Sequence, residues 1–585
     1  MKVIVLGGGV AGMSAAHELA ERGFEVVVYE QRAVAGGKAR SVDAIPGTGG
    51  RRALPGEHGF RFFPGFYQHL PDTMRRIPYP GRLNGVLDNL VTSTQLEVAR
   101  EDRRNEIIGP AHFPLSVSDW EATLRFGLDV ATHLGIPLED QVHFVGLLND
   151  LLSACPARRF DQYENESWWE FADAERHSVA FQKFLCDGLT RSLVAARARE
   201  MSARTGGSIL LQLLQDLAKP GGQADRVLCG PTNDVWIDPW LEELQRLGVD
   251  YRFGCRVDAI ASRSGRVTRV SGQRVDALGE PVGSGWEDRA DYYVAAVPVE
   301  VLRERIAMNA LKRASPALQR LDELTVRWMN GIMFYLRRDV PLIHGHTIYI
   351  DSAWALTSVS QRQFWPGFDL HGMGGGDVDG ILSVDVSDWE TPGRFSAAGK
   401  IARQCSKDEI TAEVWDQLKA ALNNGDEVLS DANRAASFLD PDILPPNPTD
   451  ATNLEPLLVN TAGSWANRPS ADLPEVENLF LASDYVRTNT DLATMEGANE
   501  AARRAVNAIL DASGADAEPC AVRDLHLPGG LPFAVARELD KVAFKVFGTR
   551  HGPPATVALR DGRLEINPVT RAAQHLRHLT HSLIN

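Results

Sequence analysis

Several things are scarce in this chain of 585 residues, and each scarcity excludes something. Cysteine occurs six times, at Cys155, Cys186, Cys229, Cys255, Cys405 and Cys520, and no two form a C-x-x-C pair. That scatter suits neither a zinc site nor a disulfide framework, and a reducing cytoplasm is the simplest setting for it. Basic side chains are outnumbered: 61 Lys and Arg against 77 Asp and Glu leave a formal net charge of −16. Non-specific nucleic-acid binding relies on cations that neutralise phosphates, so this balance argues against it. No run of about 18 apolar residues occurs, so no segment is expected to span a bilayer, while peripheral contact with a membrane stays open. The first strand-like run begins at Lys2, which leaves no room for a secretory leader ahead of it. Internal repeats and low-complexity stretches are missing too.

What is present is ample apolar material, 44% of the residues, in a chain too long for one core. Lys2 to Leu6 (KVIVL) reads as a short buried strand. It runs directly into Gly7-Gly8-Gly9-Val10-Ala11-Gly12, a G-x-G-x-x-G turn. A helix over Met13 to Arg22 follows, ended by Gly23, and a second strand over Glu25 to Tyr29 stops at Glu30. In this order the parts read as a dinucleotide-binding βαβ unit. Gly7 permits the tight turn, Gly9 the approach of a pyrophosphate, and Gly12 the close packing of helix on sheet. Val10 and Ala11 open the helix, whose free N–H groups and partial positive charge favour phosphate. Glu30, with Gln31 after it, stands where a carboxylate accepts the ribose 2′-hydroxyl.

The βαβ unit alone does not choose between NAD and FAD. Two further segments do. Arg32-Ala33-Val34-Ala35-Gly36-Gly37-Lys38-Ala39-Arg40-Ser41 resembles the R-x-x-x-G-G-[RK] segment of the amine oxidase and phytoene desaturase superfamily of flavoproteins. Near the other end, the strand Asn478 to Ala482, then Ser483-Asp484-Tyr485 and Thr494-Met495-Glu496-Gly497-Ala498, resembles that superfamily's closing motif. The resemblance implies FAD as cofactor. It places Gly37 and Lys38 by the phosphates, Asp484 by the ribityl–pyrophosphate region, and Met495, Glu496 and Ala498 at a helix start facing the flavin. A helix N-terminus there would stabilise the negative charge of reduced flavin. Val249 to Val257 resembles the strand pair beside adenine, which makes Val257 a contact, and Asp291 to Pro298 the strand returning under the cofactor.

The implied fold class is α/β: a Rossmann-type FAD-binding domain of the glutathione-reductase-like kind with an α+β substrate domain, both discontinuous in sequence. Residues 1–75, 205–300 and 455–515 would build the FAD domain, and 76–204 and 301–454 the substrate domain. Periodic segments such as Trp120–Leu134 and Val179–Leu193 read as helices, and 326–336, Ile348–Asp351 and Ile381–Val386 as strands. The resemblance ends near Leu510, and residues 516–585 form an extension of unassigned role. His575, His578 and His581 recur there at helical spacing, which reads as a solvated helix face before a metal site.

Flavin carries hydride chemistry itself, so protein groups supply binding, orientation and electrostatics. Candidates for a catalytic part are His58 and Arg61 in Glu57-His58-Gly59-Phe60-Arg61-Phe62-Phe63-Pro64-Gly65-Phe66-Tyr67. By resemblance this segment passes beside the flavin, with Gly59 against it. His58 could shuttle a proton or be a satisfied structural histidine, and Arg61 could bind a carboxylate or simply pack. The density of aromatics favours an apolar substrate. Trp465 lies where amine oxidases place an aromatic wall over the flavin. Those enzymes also carry a Lys in a strand comparable to Arg327–Leu336, where this chain has none and shows Asn330. The combination resembles bacterial phytoene desaturase and carotenoid ring-desaturase-like flavoproteins. It implies a desaturase or dehydrogenase that takes hydride from C–H bonds of an isoprenoid or lipid-like substrate, with an external electron acceptor that the sequence does not disclose. A redox-neutral double-bond isomerase, an amine or amino-acid oxidase, and a prenyl carrier without flavin are the alternatives.

Overall fold

A computed structural model describes residues 1–101, 107–111, 133–188, 190–191, 196–218, 222–525, 531–549, 557–560 and 563–566. Most of the segment Trp120–Leu134, part of Val179–Leu193, and His575, His578 and His581 lie outside the described residues.

Two sheets organise the molecule. The first is a five-stranded parallel sheet in the order Leu479–Leu481, Tyr292–Ala295, Lys2–Leu6, Glu25–Tyr29, Asp250–Arg252. Its central strand is buried on both faces, which explains why KVIVL is continuously apolar where a half-exposed strand would alternate. Helix Val10–Glu21 packs on the sheet beside helix Met495–Ser513. The first helix starts three residues before the position expected from the sequence, because its N-cap is Gly9 inside the glycine turn. It closes at Arg22 and Gly23, the latter at φ +81°, in the left-handed region that glycine adopts at low cost.

The second sheet has seven strands in the order Arg434–Leu439, Asn330–Leu336, Gly380–Val386, Leu356–Ser360, Gly345–Tyr349, Gln95–Ala99, Ile107–Pro110. Neighbours run antiparallel except the pair Gly345–Tyr349 and Gln95–Ala99. Side chains alternate between its faces. Ile332, Phe334, Val384 and Val386 bury one face in a core shared with Trp415 and Leu418 of helix Lys407–Leu422. The other face carries Met333 and Tyr335 into a second core, and Thr357, His346 and Asp385 toward a cavity.

Helices Leu138–Ser153, Trp168–Phe171 and Ala203–Ala218 form a lobe around buried Trp168, Trp169 and Phe181. Helix Leu531–Phe547 leans on that lobe: Asp540 accepts the Cys155 N–H (2.8 Å) and the Arg158 Nε–H (2.8 Å). Among the described residues no helix is long and apolar enough to cross a membrane.

Candidate functional site

The glycine turn is packed too closely for side chains at several of its positions. Gly7 sits at φ +101°, and a Cβ on Gly12 would lie 1.9 Å from the Gly7 carbonyl oxygen. A Cβ on Gly37 would lie 2.8 Å from Gly9 Cα, so the second glycine pair closes directly over the first. Helix Val10–Glu21 has no side-chain cap and no acid in its first turn, which leaves its N-terminal field for an anion. Gly7, Gly9, Val10 and Ala11 line the cavity here, while Gly12 is turned inward to the helix–sheet contact. This cradle, which any side chain would fill, fits a pyrophosphate.

Glu30 is buried at the end of the second strand and accepts N–H groups from Gly8 (2.7 Å) and Arg32 (2.8 Å). Burial pushes its carboxyl up and those two donors pull it down. Glu30, Gln31 and, across from them, Val257 on the strand Cys255–Arg263 line the same end of the cavity. Lys38 follows the second glycine pair; its ammonium pairs with Glu300 (3.2 Å) and bonds the Pro456 carbonyl. Asp484, Met495 and Ala498 face the cavity from the closing motif.

Two expected contacts lie elsewhere. Glu496 points away from the cavity and accepts the backbone N–H groups of Gln68 (2.7 Å), His69 (2.7 Å) and Leu70 (2.8 Å), so it caps helix His69–Arg76. Helical geometry explains it: Met495 and Ala498 are three apart and share a face, and Glu496 lies 100° round from Met495. Trp465 is not part of the cavity wall; its ring lies against the Arg204 guanidinium (4.4 Å) and Phe160 (5.4 Å).

His58, Gly59 and Arg61 come together on the middle of the wall. The His58 ring pairs through Nδ1 with Asp440, and its buried Nε2 has no hydrogen-bond partner among the described residues. Asn330 donates to Asp440 (2.6 Å) and accepts from Asn453 (2.8 Å), so the residue standing in the strand where amine oxidases carry Lys is fully engaged in holding the histidine's partner. Burial opposes ionisation of Asp440, but the charge and hydrogen bond of His58 outweigh it and hold the carboxyl at about 2. Behind them Arg40 bonds the Gly37 carbonyl (2.7 Å), Glu455 (3.0 Å) and Asp442 (2.5 Å), which ties the glycine pair to the far loop. Arg61 donates to the carbonyls of Ala39 (3.2 Å) and Lys38 (3.0 Å).

Of the residues that the sequence did not single out, Asp385 and His346 come from the second sheet. Asp385 lies in an apolar strand, GILSVDV, opposite Gly331 on one side and Thr357 on the other. His346 pairs with Asp225, which also accepts the Ser93 hydroxyl (2.9 Å), and the rings of Phe60 and Phe62 close on His346 at 5.0 and 5.3 Å. A charge inside a strand of Ile, Leu and Val was the available signal; the face it occupies depends on register, which one sequence does not disclose.

All of these surfaces enclose one cavity of about 1030 Å³. Beyond Gly59 it continues between the second sheet and helix Ala203–Ala218, lined by Leu96, Ala111, Ile209, Leu213, Leu217 and Ile348. Its upper part is thus a phosphate- and ribose-binding cleft, and its lower part an apolar chamber.

A family model described as flavin containing amine oxidoreductase matches residues 10–510. The probable zeta-carotene desaturase of Synechococcus elongatus is 25% identical over 544 residues, covering 88% of this chain and 99% of that protein. The zeta-carotene desaturase of Synechocystis is 23% identical, over 87% of this chain and 97% of that protein. The 15-cis-phytoene desaturase of Synechococcus elongatus is 24% identical over 55% of this chain and 63% of that protein. Among solved structures, putrescine oxidase bound to putrescine superimposes with a TM-score of 0.57 at 13% identity, over 87% of this chain and 99% of that one. Cyclohexylamine oxidase from Brevibacterium oxydans gives 0.55 at 14%, over 88% and 99%. At such identities the superpositions speak for the fold, and the amine-oxidase type of α/β FAD-binding fold with a substrate domain is what they share with this chain. Cradle, closing motif and family match agree, and the chain belongs to the flavin-containing amine oxidoreductase family as an FAD-dependent oxidoreductase.

Proposed function

We propose that the enzyme is a desaturase that removes two hydrogens from adjacent carbons of an isoprenoid, carotenoid-like chain. The observation that carries this reading is the apolar chamber that opens directly from the cofactor cleft at Gly59, walled by Leu96, Ile209, Leu213 and Ile348. The glycine pairs, Glu30 and the helix starts at Val10 and Met495 would hold FAD, which would supply the two-electron oxidant. The protein's own contribution is threefold. The chamber desolvates a hydrocarbon and excludes water, which favours its alignment against the cofactor edge. Asp440 orients His58 beside Gly59, and Arg61 adds a guanidinium to the same stretch of wall. Phe60, Phe62 and Phe66 narrow the passage between the two compartments.

The curated relatives named above are carotenoid desaturases, which supports the same substrate class. An amine substrate is less well served. Asn330 is bound to Asp440 and Asn453, and Lys38, the lysine on the cavity wall, is paired with Glu300.

The test is an anaerobic absorbance spectrum of purified holoprotein before and after addition of 15-cis-phytoene or ζ-carotene in detergent. Bleaching of the flavin bands is expected. Bands that persist with both polyenes but bleach with primary amines would overturn the reading in favour of an amine oxidase.

A further inference from the structure

Most carboxylates on the cavity wall are committed to partners. Glu30 holds two backbone N–H groups, Glu300 pairs with Lys38, Glu455 with Arg40 and Arg32, and Asp225 with His346 and Ser93. Asp385 differs. It is buried, it lines the cavity, and its Oδ1 meets no hydrogen-bond donor among the described residues. It stands so close under Gly59 that a Cβ there would come within 2.5 Å of Oδ1. The Gly331 N–H, on the neighbouring strand, bonds the His58 carbonyl and fixes the segment His58–Gly59 above it. A carboxylate with one unpartnered, enclosed oxygen therefore stands on the cavity wall under Gly59.

We propose that Asp385 is the proton acceptor of the dehydrogenation. This rests on the desaturase reading above. One C–H bond of the substrate breaks with its electron pair, which passes as hydride to FAD. The adjacent C–H bond breaks toward Asp385: its electron pair becomes the new double bond, and its proton forms an O–H on the carboxylate. His346, which pairs with Asp225 and lies two strands along the sheet from Asp385, lines the same cavity.

The surroundings suit such a base. Burial raises the carboxyl, while the charges of Arg61, His58 and His346, helped by a hydrogen bond from the Phe60 N–H, hold it back, and the balance lies at about 7. Those three are the charged or titratable groups that act on it; Arg61 is itself faced by Glu57, His58 by Asp440 and His346 by Asp225. From the flanking strands Gly331 and Thr357 add no charge. A carboxylate that takes up a proton near pH 7 accepts one more readily than an ordinary aspartate, which is the matching that general base catalysis needs.

The experiment compares wild type, Asp385→Asn and Asp385→Glu as FAD-loaded proteins. In anaerobic rapid mixing with ζ-carotene in detergent, the wild-type bleaching rate is expected to rise with pH through about 7. In Asp385→Asn it should fall at least about 100-fold and lose that pH dependence. Asp385→Glu should keep a slower, pH-dependent bleaching, and both variants an unaltered flavin spectrum. An independent readout needs no turnover: the infrared difference spectrum of substrate-free holoprotein between pH 6 and pH 8 should contain a buried carboxylic acid band that Asp385→Asn removes. Equal rates and equal pH profiles in wild type and Asp385→Asn, or an infrared spectrum without that band, overturn the proposal and leave the desaturase reading standing. A wild type that neither ζ-carotene nor 15-cis-phytoene bleaches overturns the desaturase reading and this proposal with it.

Discussion

At the scale of single residues the site trades stability for chemistry. In the unfolded chain Asp385 ionises near the ordinary aspartate value of 3.8, whereas in the fold it does so at about 7. The unfolded state therefore releases its proton first, and the native state loses stability as pH rises from about 4 to about 7, then holds level. The total is on the order of 4 kcal/mol at most. Asp385→Asn should accordingly raise the thermal midpoint of the protein at pH 8 and change it little at pH 4; equal midpoints at pH 8 would contradict the burial argument. Glu30 gives a second residue-scale prediction. Glu30→Ala removes the acceptor of the Gly8 and Arg32 N–H groups and the carboxylate proposed to bind the ribose, and should weaken FAD binding about 10- to 100-fold in a fluorescence titration of apoprotein. Legibility divides at the same scale. The turn at Gly7 and Gly9 and the strand end at Glu30 were readable because they follow from neighbours within thirty positions of sequence. Asp385, Asp440 and Glu455 were not, since each acquires its role from a partner hundreds of residues away: Arg40 and Glu455 are 415 apart.

At the scale of elements, the helix that opens at Met495 does two jobs with adjacent residues. Its cavity face carries Met495 and Ala498, and Glu496 anchors a neighbouring helix. The motif showed that this helix matters, but the direction of each side chain depends on how the helix is rolled against Val10–Glu21. Glu496→Ala should strip the start of His69–Arg76 of its acceptor and leave three N–H groups and the His69 ring without it. A loss of about 3 kcal/mol is expected, read as a lower midpoint in chemical denaturation. The flavin spectrum of the folded variant should persist, and loss of FAD without loss of stability would instead place Glu496 at the cofactor. Elements also explain where strand limits moved. The expected strand 326–336 is two pieces, Val326–Arg327 and Asn330–Leu336, and the first pairs with Leu457–Leu458 outside the large sheet.

At the scale of the whole molecule, the extension after residue 515 is tied to the helical lobe. Arg158 is buried between Asp540, Gln162 and the Phe544 ring, whose centroid lies 4.9 Å from the guanidinium. Removing the acid from such a pair leaves an uncompensated buried cation, so Asp540→Ala should cost about 3 kcal/mol locally. Hydrogen exchange should then accelerate in residues 138–158 while the flavin spectrum stays unchanged; unaltered exchange would mean that the extension does not brace the lobe. The parallel sheet under the cofactor has a further consequence, and it concerns timing. Its strands lie at residues 2–6, 25–29, 250–252, 292–295 and 479–481, and the helix that closes the site begins at Met495. A ribosome adding about 5–20 residues per second needs roughly half a minute to a minute and a half to pass from the first glycine turn to that helix. Throughout that interval the amino-terminal half of the cradle has left the ribosome without its carboxy-terminal half, so the complete cradle forms only as synthesis finishes.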